Sequence, residues 1–169
     1  MRSIGIDIGT LSIKIADVEL SGRSLILRDF VEIPFSLDIT MDRKIQIIEG
    51  LRKIAAHYDP AVTRFVFGVS QDRLSIRRKT FPFREKIKIT KSLAFELEDE
   101  IPFDQDKAVF DAKIIKFSGN ASEVLACACP NKYIEELIQL TNDVGIDPDI
   151  TSTDGFALAN LYTDWWSLP

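Results

Sequence analysis

A chain of 169 residues, 46% hydrophobic and 28% charged, has the length and composition of one ordinary globular domain or two small ones closely joined. With 21 Lys and Arg against 26 Asp and Glu the formal charge is −5, so the basic field that holds nucleic acids by counterion release is missing. Met1-Arg2-Ser3-Ile4-Gly5 reaches Asp7 too soon for the apolar core of a signal peptide, and no stretch approaches the roughly 18 to 20 apolar residues of a membrane span. The expectation is a soluble chain whose membrane attachment, if any, lies outside it.

The elements follow from periodicity and punctuation. Ile4 to Ile8 alternate at period two, and Gly9-Thr10 breaks the run. Ser12 to Glu19 and Leu25 to Ile33 are β-rich runs joined at Ser21-Gly22-Arg23, which gives a three-strand meander. Thr40 is placed to cap a helix over 41–57, with Ile45, Ile48, Leu51 and Ala55 inward and Asp59-Pro60 as the stop. Arg64 to Val69 forms the next strand, so the chain opens as an α/β layer.

After Ser70 the character changes, because Arg73, Arg77, Arg78, Lys79, Arg84, Lys86 and Lys88 crowd into sixteen positions. A strand (Leu74 to Phe81), a helix (Glu85 to Glu100) and two strands (Lys107 to Phe117, Ser122 to Cys129) turned at Ser118-Gly119-Asn120 follow. Phe103 is expected to anchor the turn after that helix. Asn131 caps a helix to Val144 with Ile134, Leu137, Ile138 and Thr141 inward, and Gly145 stops it. Residues 149–153 form a short strand, and Asp154 caps a last helix bearing Phe156, Leu158, Ala159 and Leu161. The Trp165-Trp166 pair reads as half of an interface, so this end is expected to be a cut through a larger protein. The fold class is α/β: a mixed-sheet first subdomain over 1–70, an inserted strand-helix-strand-strand subdomain over 71–148, and a return over 149–169.

Few residues offer chemistry. A lone His57 cannot build a zinc site, and Cys127 and Cys129, two apart on one strand with no further Cys or His cluster, read as buried packing in a reducing compartment. Hydrolase elbows, zincin motifs and Walker loops are absent. What remains is Asp7-Ile8-Gly9-Thr10-Leu11-Ser12-Ile13-Lys14, where an acid can hold a magnesium-bound water, a glycine admits a phosphate, and hydroxyls and amides donate to it. The same string is also an ordinary hairpin. The helix from Glu85 shows two apolar lines, Ile89, Leu93 and Leu97 on one side and Ile87 and Phe95 on the other. One line must face its sheet, leaving the other for the first subdomain or for a partner's segment.

The Asp-Ile-Gly-Thr hairpin, followed by Lys14, a meander and a helix, resembles the phosphate-1 region of the actin-like ATPase superfamily. Phe81-Pro82-Phe83-Arg84, then Glu98-Asp99-Glu100-Ile101-Pro102-Phe103 and Ala108-Val109-Phe110-Asp111, resemble the inserted subdomain of PilM-type pilus proteins and their GspL-type relatives in type II secretion. Leu125 to Cys129 and Val144-Gly145-Ile146-Asp147-Pro148 continue the resemblance over nearly the whole chain. It implies a four-subdomain molecule similar to the cell-division actin homologue FtsA, of which this is the first half. Asp7, Gly9, Thr10, Ser12 and Lys14 would touch nucleotide phosphate in the intact parent, so ATP and Mg belong to the full-length protein, with no catalytic residue, metal site or cofactor in this half.

The implied role is non-enzymatic: a GspL-like scaffold at the cytoplasmic face of the bacterial inner membrane, docking a GspE-like secretion ATPase to GspM- and GspF-like platform proteins. The alternative is a PilM-like protein that binds a PilN-type tail. A sugar-kinase-like phosphotransferase of the same superfamily is the second alternative. Ile87, Lys91, Phe95 and Glu98 are the candidate partner face. The basic stretch, set against acidic Glu96, Glu98, Asp99, Glu100, Asp104 and Asp106, is expected to form two separate solvated faces that could also drive self-association.

Overall fold

Alternating side chains build the first sheet. In the computed structural model, which describes residues 1–22 and 24–162, β1 (Arg2–Ile8), β2 (Ser12–Ser21) and β3 (Ser24–Pro34) form an antiparallel meander. Arg23 of the expected second turn and the Trp165-Trp166 pair lie outside the described residues. Helix α1 (Arg43–His57) leads into β4 (Thr63–Val69), which lies parallel to β1. Ile4, Ile6, Ile13, Ile15, Phe65 and Phe67 fall on one face of this sheet, and all are buried. Gly50, Leu51 and Ile54 are the buried positions of α1.

Asp42, rather than Thr40, caps α1. Its carboxylate accepts from the Lys44 and Ile45 amides at 2.7 and 3.2 Å, whereas Thr40 is held in the preceding turn, its hydroxyl donating to Asp38 at 2.7 Å. Starting at residue 43 and turning inward at Gly50, Leu51 and Ile54, the helix leaves Ile45 exposed, against expectation.

The inserted unit runs β5 (Ser75–Phe81), α2 (Lys86–Leu97), β6 (Ala108–Ser118) and β7 (Ala121–Pro130), with the strands in the order β5-β7-β6. Ile89, Leu93 and Leu97 of α2 join a core with Phe81, Ile101, Val124, Ala126 and Ala128. The small side chains of β7 let the helix come close to the sheet. Helix α2 ends at Leu97, and Glu98–Glu100 tighten into a 3-10 turn. Ile101 is buried in that turn while Phe103 packs only partly against the core, so Ile101 takes the anchoring position expected of Phe103.

Helix α3 (Asn131–Asn142) follows, then β8 (Ile150–Thr153) and α4 (Asp154–Leu161). Leu137, Leu140 and Thr141 are the buried positions of α3; Ile138 is exposed, correcting its expected place on the inner face. Gly145 takes φ +74°, a left-handed conformation suited to glycine beyond a helix end. Thr153 caps α4, its hydroxyl accepting from the Phe156 amide at 3.0 Å, because the Asp154 carboxylate accepts instead from the Gly155 amide at 2.8 Å. β8 pairs parallel with β4, completing the five-stranded order β3-β2-β1-β4-β8. The chain divides into Gln71–Glu136 and a second unit made of Met1–Ser70 with the chain from Leu137, so the return begins inside α3 rather than at 149. Among the described residues no helix is long and apolar enough to cross a membrane.

Candidate functional site

The β1–β2 hairpin gathers the candidate phosphate residues at one end of the first sheet. Asp7 and Lys14 are cross-strand partners, with Lys14 Nζ 3.9 Å from Asp7 Oδ2 and both side chains about half exposed. A Cβ on Gly9 would stand 3.6 Å from Asp7 Oδ2, 3.8 Å from Lys14 Nζ and 3.3 Å from the Ser12 carbonyl, so glycine keeps the space between acid and base open. Thr10 is exposed at the tip.

Two of the expected donors are committed elsewhere. The Gly9 amide donates to the Ser12 carbonyl at 3.0 Å, closing the hairpin, and Ser12, itself buried, donates its hydroxyl to Glu32 Oε1 at 2.5 Å. Ser12 therefore faces β3 rather than the loop mouth. Arg43, outside the expected site residues, donates its guanidinium to the Thr10 and Gly9 carbonyls at 2.5 Å each and stacks 4.1 Å from the Phe35 ring. An Arg in the first turn of the following helix was the available signal. Among the described residues no group of three His, Cys, Asp or Glu side chains is placed to hold a metal.

In the inserted unit the second apolar line of α2 is open: Ile87 is 73% and Phe95 78% exposed, with Lys91 and Glu98 exposed beside them. The basic stretch does not form a separate face. Arg77 and Lys79 reach Glu100, Arg78 pairs with Glu123, Lys86 with Asp111 and Lys88 with Glu85. Arg73 and Arg84 lie over Tyr133 and Phe117 at 5.0 and 4.3 Å. Of the acidic run only Glu100 meets the basic stretch; the other partners, Glu85, Asp111 and Glu123, come from outside that run, so the expected separation is bridged at one point. Hydrogen bonds from Arg78 and Lys88 hold the Glu123 and Glu85 carboxyls below their usual range.

The same unit contains a cavity of about 610 Å³ between the start of β5, the Pro102-Phe103 turn and the first turn of α3, with Arg73, Leu74, Phe103, Asn131 and Tyr133 on its walls. Asn131 Oδ1 is buried without a hydrogen-bond partner. A buried acceptor without a partner is costly, which marks Asn131 among the lining residues. Asn131 and Phe103, expected as a helix cap and a turn anchor, both line this cavity. Cys127 and Cys129 are buried free thiols, and burial pushes Cys127 up to about 11.

The mixed five-stranded sheet, its acid-glycine hairpin and the strand-helix-strand-strand insert define a protein of the actin-like ATPase fold. A Bacteroides thetaiotaomicron protein of actin-like ATPase fold and unknown function superimposes with TM-score 0.50 at 7% identity, over 96% of this chain and 56% of its own. The family described as type IV pilus assembly protein PilM matches residues 5–167, and the chain belongs to that family. A structure of a PilM-PilN type IV pilus biogenesis complex matches with TM-score 0.75 at 19% identity, over 96% of this chain and 49% of that one. The cytoplasmic domain of EpsL, an inner membrane component of the type II secretion system of Vibrio cholerae, matches with TM-score 0.58 at 12% identity, over 89% and 57%. No curated protein matches the chain. It spans about half the length of the three structures it resembles.

Proposed function

We propose that the chain is the partner-docking half of a PilM-type scaffold at the cytoplasmic face of the bacterial inner membrane, assembling type IV pilus components without turning over nucleotide. The cavity beside α3 carries this reading: a concave surface of mixed polarity with a buried acceptor suits a short protein tail bearing an amide donor. A PilN-type tail is the occupant that the family suggests. The exposed α2 face of Ile87, Lys91, Phe95 and Glu98 offers the tail's flanking residues a further contact. Support for a GspL-like role, with GspE-, GspM- and GspF-like partners, is weaker, since the EpsL domain overlaps less of the chain at a lower TM-score. In a complete molecule Asp7, Thr10 and Lys14 would take the phosphates of Mg-ATP as an assembly signal.

Calorimetric titration with the cytoplasmic tail of the host's PilN-type protein tests the proposal. Asn131→Ala should weaken binding about tenfold, the value of one or so hydrogen bonds. Binding indifferent to both Asn131→Ala and Tyr133→Ala, or phosphate release from ATP stimulated by the tail, would overturn it.

A further inference from the structure

The first unit carries a recognition surface that the tail-docking reading leaves unused. β3 is the outermost strand of the five-stranded sheet, pairing with β2 on one side and with no strand among the described residues on the other. Such an edge presents main-chain donors and acceptors to any strand that arrives, and proteins usually blunt it with bulges, proline or charge. Here those devices sit at two points. The register skips at Arg28, and Pro34 closes the strand. Between them Asp29, Phe30, Val31, Glu32 and Ile33 pair in unbroken register with Asp17 to Ile13.

A cavity of about 300 Å³ opens beside this stretch. Asp29, Val31 and Ile33 contribute from β3, Ile15 from β2, and Ile54 with Tyr58 from the end of α1, so its lining is mainly apolar; Lys53 and His57 complete it. On the opposite sheet face Phe30 is 58% exposed, and Glu32 accepts from Ser12 with Lys14 as its cross-strand neighbour. The open stretch holds two carboxylates and no cation.

We propose that the Asp29–Ile33 edge binds an extended basic peptide of a partner protein, which adds a sixth strand. Its aliphatic side chains, at alternate positions, enter the cavity; its lysines or arginines lie between them, their stems over Phe30 and their charges toward Glu32. A helix would leave the strand's edge amides unpaired. A second copy of β3 would set Asp29 and Glu32 against the same charges, and its one cation, Arg28, is already held 2.7 Å from Glu19. The site shares no lining residue with the cavity beside α3 and stands or falls independently of it.

The probe is the acetylated, amidated heptapeptide Lys-Val-Lys-Leu-Lys-Val-Lys, titrated into the nitrogen-15-labelled chain with amide exchange as readout. Binding should slow exchange in residues 29–33 by roughly tenfold, and N-methylation of one set of alternate peptide amides, but not of the other, should abolish it. Val31→Lys, which puts a charge of the peptide's own sign in the cavity wall, should weaken binding by about tenfold. The N-methyl comparison on the unaltered chain stands even if that variant fails to fold. Equal binding by both N-methylated peptides, protection confined to other strands, no binding at millimolar peptide, or peptide-independent dimerisation that protects β3 would each overturn the proposal.

Discussion

Gly50 sits in α1 against the most deeply buried part of the first sheet, and replacing it by alanine sets two effects in opposition. A Cβ there would stand 2.5 Å from Ile13 Cδ1, with Ile13 Cγ1 at 3.7 Å and Ile33 Cγ2 at 3.9 Å. Only the terminal methyl of Ile13 is too close, but Ile13 is fully buried and has little room to turn. Overpacking of this kind costs about 1–3 kcal/mol. The gain in helix propensity from Gly to Ala is about 1 kcal/mol. Gly50→Ala should therefore destabilise the chain by about 0–2 kcal/mol. Ile13→Val removes the offending methyl and alone should cost about 0.5–1.5 kcal/mol. In the double variant the alanine methyl fills the vacated space while the helix keeps its propensity gain. Its stability should then lie near the original, a coupling of about 0.5–3.5 kcal/mol. Urea unfolding followed by circular dichroism measures all four corners of the cycle. Costs that add within about 0.5 kcal/mol, or a Gly50→Ala chain that is simply more stable, would refute the packing argument.

The hydrogen bond from Arg2 holds the nearly buried Asp17 carboxyl below its usual range, so this pair stabilises the fold above the unfolded carboxylate pKa of about 4 and the contribution is lost as pH falls through the lower folded value. Asp17→Asn should flatten that acid limb of the urea midpoint against pH; an unchanged limb would reject the assignment. Burial favours the neutral Cys127 thiol, whose pKa of about 11 lies above the roughly 8.5 of an unfolded thiol, so stability is lost as pH rises from the lower value through the higher. Native-state alkylation of Cys127 at pH 8 should accordingly run about 100-fold slower than in urea, and comparable rates would show the thiol to be accessible and ionised. In the inserted unit Leu93→Ala should cost about 2–5 kcal/mol, half-buried Phe103→Ala about 1–2, and exposed Phe95→Ala under about 0.5, an ordering that thermal denaturation can check.

Much of the architecture was legible because it rests on periodicity. Alternation in Ile4-Gly5-Ile6 and the four-residue spacing of Ile89, Leu93 and Leu97 reflect backbone geometry, which local sequence encodes directly. Caps were less legible. Thr40 and Asp42, or Thr153 and Asp154, are equally good cap residues, and which one serves depends on what else its neighbour binds. At the hairpin, Asp7, Gly9, Thr10 and Lys14 could be placed from their spacing, but the turning of Ser12 toward Glu32 is a contact across twenty positions that spacing does not contain. The cavity beside α3 was invisible for the same reason, since its walls come from three separated stretches.

The pairing of the basic stretch changes how the inserted unit meets the solution around it. Because five of the seven cations of the basic stretch already have carboxylate partners within 4.0 Å, little long-range field escapes that stretch. A partner approaching this side finds a surface that is rich in ions yet electrically quiet, so encounter there is governed by diffusion and shape. Association through it should hold nearly constant from dilute buffer to high ionic strength.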